Sequence, residues 1–274
     1  MDTLQCGRFE LSLTRPLVMG ILNVTPDSFS DGGNFDTASK AVAHAELMVK
    51  EGADIIDIGG ESTRPGAGDI SVEDEIARVV PVIAALKSLN VPLSIDTRRP
   101  AVMLAALEAG VDLINDIAAL EGEGALQVAT RNNVAICLMH MKGEPRTMQT
   151  APHYDDVVAE VTQYLAARRD EALGAGIARE RILLDPGFGF GKNLEHNAAL
   201  FRAMPQMIAA LACPFLIGVS RKSMLGQVTG RPVTERAVAS AAAAMLAVQK
   251  GAAIVRVHDV RETVDALKIL GALH

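Results

Sequence analysis

Leu17-Val18-Met19-Gly20-Ile21-Leu22-Asn23 is an apolar run that stops at an amide, and the chain repeats that design seven more times. The later runs cover 55–58, 92–95, 113–114, 134–139, 182–184, 215–219 and 254–257. They stop at Gly59-Gly60-Glu61-Ser62-Thr63-Arg64, at Asp96, at Asn115, at His140, at Asp185, at Ser220-Arg221-Lys222, and at Arg256 with His258. Continuous rather than alternating apolar runs suit strands covered by helices on one side and by a filled barrel on the other. Helical periodicity occupies the intervals, roughly 37–51, 71–89, 100–109, 123–131, 154–175, 195–211, 233–250 and 260–270. Gly52, Gly110, Gly176 and Gly251 follow four of these segments, where a left-handed cap is wanted. Eight such units predict one closed parallel α/β barrel, a (β/α)8 TIM barrel, as a single domain over residues 1–274. An open doubly wound sheet is the rival, but no glycine fingerprint opens the first helix and no low-complexity linker splits the chain. Residues 4–13 fall outside the eight units, and Gly7-Arg8 between two short extended pieces predicts a β-hairpin over the barrel floor.

Composition narrows the partners. A formal charge of -7 argues against nucleic acid or an anionic membrane as the main partner, so any basic patch is local. Cys6, Cys137 and Cys213 are widely spaced, and Cys137 interrupts an apolar run where a small thiol packs well. They read as reduced core residues. With no apolar stretch of membrane-span length and no basic, apolar leader at Met1-Asp2-Thr3-Leu4-Gln5, the expected setting is the cytoplasm.

In such a barrel the active site forms at the C-terminal ends of the strands, so the polar stops converge on one mouth. Arg256 and His258 are two apart and share a face, as Ser220 and Lys222 do if their strand stays extended. Closure brings the first strand, and Asn23, beside the last. Two cations with an amide alongside suit a phosphorylated group carrying a metal; a surface ion-pair cluster is the plainer alternative. Asp96, Asn115 and Asp185 offer carboxylate acceptors and an amide, which suits the edge of a flat nitrogen heterocycle, although each is also a good helix cap. Asp116 has the opposite parity and reads as structural.

Other features carry less. Residues 187–192 (GFGFGK) are neither a Walker A loop nor a dinucleotide fingerprint, and read as a loop bending over a ligand with Phe188 or Phe190 as its apolar wall. His140 and His153 lack partners at zinc spacing and read as structural. The Ala-rich run 237–247 packs closely, either on the barrel or across a homodimer. No Ser, Cys or Lys nucleophile stands beside a base, and no carboxylate pair is spaced for hydrolysis. The residues suit positioning and charge stabilisation, for a transfer in which an anionic phosphate leaves.

Residues 19–33 (MGILNVTPDSFSDGG) and 59–66 (GGESTRPG) resemble the signatures of bacterial dihydropteroate synthase. So do 96–97, 115–117, 138–141, 184–192, 220–223 and 256–259, in order along nearly the whole chain. The resemblance implies an enzyme joining (7,8-dihydropterin-6-yl)methyl diphosphate to p-aminobenzoate with Mg2+, releasing diphosphate. It also implies inhibition by sulfonamides. On these positions it puts Asp96, Asn115, Asp185 and Lys222 on the pterin, Asn23 on the metal, and Arg256 and His258 on the diphosphate. Of these, Asp96, Lys222, Arg256 and His258 are its candidate catalytic residues. Thr63, Arg64, Pro65, Phe190 and Ser220 would line the aminobenzoate side. Arg98-Arg99 and Ala118-Ala119 depart from the family pattern beside the motifs rather than on them. A pterin-dependent methyltransferase barrel is one rival and a non-catalytic paralogue another; the first has no use for a diphosphate site.

Overall fold

The computed structural model describes residues 2–25, 34–61, 70–144 and 147–273, with only the backbone described at 34–37. Eight parallel strands form the barrel: β3 (Leu17–Asn23), β4 (Ile55–Gly59), β5 (Leu93–Asp96), β6 (Leu113–Asp116), β7 (Ala135–Met139), β8 (Ile182–Asp185), β9 (Leu216–Ile217) and β10 (Ile254–Val257). They pair in the order β8-β7-β6-β5-β4-β3-β10-β9. A parallel bridge from Leu184 to Phe215, with the Leu184 amide donating to the Pro214 carbonyl at 3.1 Å, joins β8 to the β9 end and closes the ring.

Side-chain alternation divides each strand between two cores. Leu22, Ile56, Ile58, Ile95, Ile114, Leu138, Leu184 and Val257 face the helices, in one continuous apolar layer. Leu17, Met19, Ile55, Leu113, Ala135, Cys137, Leu183, Leu216 and Ile254 face inward and meet Leu4 and Cys6. Those two come from the antiparallel hairpin of β1 (Thr3–Cys6) and β2 (Phe9–Ser12), which covers the barrel floor as its position outside the repeat predicts. Gly7 turns the hairpin at φ 55°, and a Cβ there would lie 2.6 Å from Asp112 Oδ1. Asp112 in turn accepts from the Arg8 guanidinium at 2.9 and 2.8 Å, so the hairpin is fixed to the floor by charge as well as by burial.

The outer helices are α1 (Asn34–Glu51), α2 (Val72–Leu86), α3 (Pro100–Ala109), α4 (Ala125–Arg131), α5 (Val157–Gly174), α6 (Leu194–Leu211), α7 (Ser223–Thr229), α8 (Ala237–Gln249) and α9 (Val260–Leu273). The four glycine stops all have positive φ, from 94° to 108°, as left-handed caps do. Two expectations need correction. The seventh apolar run is a strand only at Leu216–Ile217, because the chain turns immediately beyond the barrel wall. A short helix, α7, stands where periodicity predicted none, being too brief to carry a readable repeat. Among the described residues no helix is long and apolar enough to cross a membrane. The three cysteines are free and buried.

Candidate active site

Register explains why the polar stops meet. Asn23 pairs with Gly59, Gly59 with Asp96, and Asp96 with Asn115, so these residues form one level around the mouth. Glycine at 59 leaves room between its neighbours: a Cβ there would lie 3.6 Å from Asn23 Oδ1 and 3.8 Å from Asp96 Cβ. Asp57 is the inward residue just below, fully buried and level with Ser94.

Arg256 occupies the centre. Its Nε donates to Asp57 Oδ2 at 2.6 Å and its Nη2 to Asp96 Oδ2 at 2.6 Å. Asn115 Nδ2 donates to the same Asp57 oxygen at 3.2 Å. Desolvation works against the charged guanidinium, but Asp57 and Asp96 outweigh it and raise its pKa further. Asp96 moves the other way for an aspartate: burial, partly opposed by Arg256 and reinforced by Asp57, pushes it up to about 7. The two cations expected side by side are thus held by different partners. His258 Nδ1 lies 3.0 Å from Ser220 Oγ, and the His258 amide donates to that oxygen at 3.1 Å.

The turn after β9 delivers Lys222. Arg221 sits at φ 57°, a conformation that costs a non-glycine residue of order 1 kcal/mol or more. It is held there by the ion pair of its guanidinium with Asp259 and by the bond from its amide to Ser240 Oγ at 2.9 Å. Ser220 and Lys222 therefore do not share a strand face, since the backbone reverses between them. Lys222 Nζ donates to the Phe188 carbonyl and stands 4.6 Å from the centroid of the Phe190 ring. Burial lowers its pKa to about 8, against the opposing charge of Asp185.

Asp185 is buried, accepts from the Gly187 amide at 2.7 Å, and has a pKa raised by burial in spite of Lys222. The loop that follows owes its path to glycine. Gly187, Gly189 and Gly191 have φ 69°, 79° and 64°, and a Cβ on Gly187 would fall 1.9 Å from the His140 carbonyl oxygen. Buried Lys192 fastens the loop from beneath, donating to the carbonyls of Gly187 at 2.9 Å, Phe190 at 3.0 Å and His140 at 3.3 Å, with His140 Nδ1 2.9 Å away. Desolvation, and then the Lys192 charge, lowers the His140 pKa to about 3, so the ring is neutral. Phe190 is the loop's partly exposed aromatic ring, whereas Phe188 is fully buried against Phe201 in the outer core and walls nothing. Asp116 caps its own turn, accepting from the amides of Ala118 at 2.7 Å and Leu120 at 2.8 Å.

Thr63, Arg64 and Pro65 lie outside the described residues, as does most of the stretch that follows Asn23. The neighbours of the former are well anchored. Arg99 donates to Glu61 Oε1 at 2.8 Å and to the Ile70 carbonyl at 2.8 Å, and pairs with buried Glu75 at 3.2 Å. The sequence reading passed over Asp57. The available signal was a carboxylate inside Ile55-Ile56-Asp57-Ile58, with the same parity as Gly59.

A family model described as pterin binding enzyme matches residues 19–258. Dihydropteroate synthase of Neisseria meningitidis serogroup B is 56% identical, over 98% of this chain and 96% of its own. The chain belongs to the dihydropteroate synthase family. A dihydropteroate synthase of Burkholderia cenocepacia, solved with 7,8-dihydropteroate, superposes with a TM-score of 0.90 at 54% identity, covering 99% of this chain and 96% of that one. The Yersinia pestis dihydropteroate synthase, solved with a sulfonamide drug, superposes at 0.93 and 48% identity, covering 98% of each chain.

Proposed function

We infer that this chain is a dihydropteroate synthase that joins (7,8-dihydropterin-6-yl)methyl diphosphate to p-aminobenzoate, releasing diphosphate and forming 7,8-dihydropteroate. The observation that carries the reading is the ring of Asp96, Asn115, Asp185 and Lys222 around a central Arg256. It stands on a chain 54% identical to a relative solved with that product. One domain over residues 1–274 carries the reaction, and the buried, free cysteines agree with a reducing cytoplasm.

An arylamine is neutral near pH 7 and already nucleophilic, so the barrier lies in breaking the C–O bond to the diphosphate. Asp185, Asp96 and Asn115 orient the heterocycle by its amino-pyrimidine edge, with Asp185 accepting two of its hydrogen bonds. Lys222 lies against Phe190, on the side where the family resemblance expects the aminobenzoate, with Ser220; Thr63, Arg64 and Pro65, the other residues expected there, lie outside the described residues. Arg256 and His258 stabilise charge gathering on the leaving group. The Ser220 hydroxyl, 3.0 Å from His258 Nδ1, fixes the orientation of the ring.

The donor set fits Mg2+ brought in on the diphosphate. Asn23, level with Gly59 at the mouth, would hold it through its side-chain amide oxygen, a hard donor of the kind that cation takes. When bound, it neutralises the departing diphosphate. Sulfonamides, as aminobenzoate mimics, compete on the same side. The exposed apolar side chains of Val228, Val238 and Leu246 on α7 and α8 support a homodimer through these helices, which a monomer in sedimentation velocity at micromolar concentration would refute.

Mixing the pterin diphosphate, p-aminobenzoate and Mg2+ with the protein is expected to release diphosphate and form dihydropteroate, and chelation to stop both. Intact pterin binding without diphosphate release would instead favour a barrel that uses the pterin for another transfer.

A further inference from the structure

We propose that Asp57 is a positioning residue for this reaction, holding the Arg256 guanidinium by Nε so that it keeps its place when Asp96 turns to the substrate heterocycle. The proposal rests on the reading that sets Arg256 at the diphosphate and Asp96 on the pterin. Arg256 has two carboxylate partners at equal distance, 2.6 Å each, but they differ in setting. The Asp96 side chain is 16% exposed and stands at the rim level, whereas Asp57 has no exposed surface and sits one inward step lower. A substrate entering from above therefore reaches Asp96 and not Asp57. Once Asp96 is engaged, the Asp57 contact alone fixes the guanidinium, and a desolvated ion pair is far stronger there than at the surface.

The cost of Asp57 points the same way. Among the described residues its Oδ1 has no hydrogen-bond partner, and neither has Oγ of Ser94, its neighbour across β5. An unpaired buried polar atom destabilises a fold by roughly 1–3 kcal/mol, so packing alone does not favour an aspartate in this wall. Its Oδ2 instead gathers two residues of the site, Arg256 and Asn115.

The test compares wild type, Asp57→Asn, Arg256→Met and the double variant by steady-state kinetics and thermal unfolding. Asp57→Asn is expected to lower kcat by about 100-fold, the size of effect seen when a charge-stabilising group loses its placement, while changing the KM for p-aminobenzoate by less than about threefold. Because Asp57 acts through Arg256, the double variant should turn over within about threefold of Arg256→Met alone. Multiplied losses, near 10,000-fold by the same reckoning, would overturn the tether while leaving the role of Arg256 intact. A loss confined to the pterin KM would also overturn it, assigning Asp57 to Asn115. Wild-type turnover in Arg256→Met would remove the diphosphate role of Arg256 and the proposal with it. If Asp57→Asn fails to fold, the double variant still decides, since it replaces the ion pair by two neutral groups.

Discussion

Four strands carry, two residues apart and on the same inward face, one residue for the barrel floor and one for its mouth: Ile55 and Asp57, Leu113 and Asn115, Leu183 and Asp185, Ile254 and Arg256. The separation is about 6.6 Å along a strand. Below it the barrel is dry, apolar and closed by Leu4 and Cys6 of the hairpin; above it three carboxylates, an amide and a guanidinium share one space. Each floor side chain stabilises the fold by roughly 1.5–3 kcal/mol through burial. The carboxylates of the mouth do the reverse, as the burial-raised pKa values of Asp96 and Asp185 show. One strand thus supports the fold with its first inward residue and, on the function proposed above, serves chemistry with the next.

The largest test of that division is Leu183→Ala. It should cost about 3–4 kcal/mol of stability in urea titration, because the closed floor has little freedom to collapse around the cavity. In the remaining folded enzyme kcat and both KM values should stay at wild-type levels. A changed pterin KM would mean that floor and mouth are mechanically one unit.

Asp185→Ala, two residues along the same strand, should show the opposite pattern. Stability should change by no more than about 1 kcal/mol, since the loss of the bond to the Gly187 amide is offset by removal of a buried carboxylate. Affinity for a pterin analogue, measured by calorimetry, should fall by about 2–3 kcal/mol, or some 30- to 150-fold, as the heterocycle's donors lose a charged acceptor. Near-normal affinity would remove Asp185 from the heterocycle and leave the mouth without its deepest acceptor.

The division was half legible in the sequence, and the reason lies in parity. Asp96, Asn115, Asp185 and Arg256 stand at strand ends, where an abrupt polar residue is conspicuous, and the family motifs pick out the same positions. Asp57 was passed over because two isoleucines precede it and one follows and none of the family motifs covers it, whereas Arg256, flanked in the same way by Ile254, Val255 and Val257, stands in one. The turn at Arg221 was hidden for another reason. A left-handed residue is usually signalled by glycine, and here side-chain bonds to Asp259 and Ser240 impose it on an arginine. The glycines of residues 187–191 were read correctly as a bend, but only three-dimensional contact shows that Lys192 and His140 fasten it. Arg99 likewise looked like an incidental departure, until its bonds to Glu61 and Ile70 appeared on either side of the undescribed stretch.

The smallest expected effect on affinity is a pH dependence centred on Asp96, and the accompanying stability change has the reverse sign of the usual aspartate case. The folded pKa, near 7, lies above the unfolded value of about 3.9, so between these limits the folded protein binds the proton more tightly. Its contribution to stability is full below about pH 4 and is lost as pH rises to 7. Substrate binding is expected to run the other way, since in its proposed role Asp96 serves a neutral pterin as an ionised acceptor. With a pKa near 7 the ionised fraction rises about tenfold between pH 6 and pH 8, so analogue affinity should rise by up to that factor, about 1.4 kcal/mol. Asp96→Asn should flatten this profile and lessen the loss of stability with rising pH, leaving the share of Asp116, which burial pushes up to about 6. The thiols of the dry floor do not titrate in that interval, because burial raises the pKa values of Cys6 and Cys137 well above it. A flat affinity profile in the wild type would therefore detach Asp96 from the heterocycle, and a sloping one that survives in Asp96→Asn would move the titrating group elsewhere in the mouth.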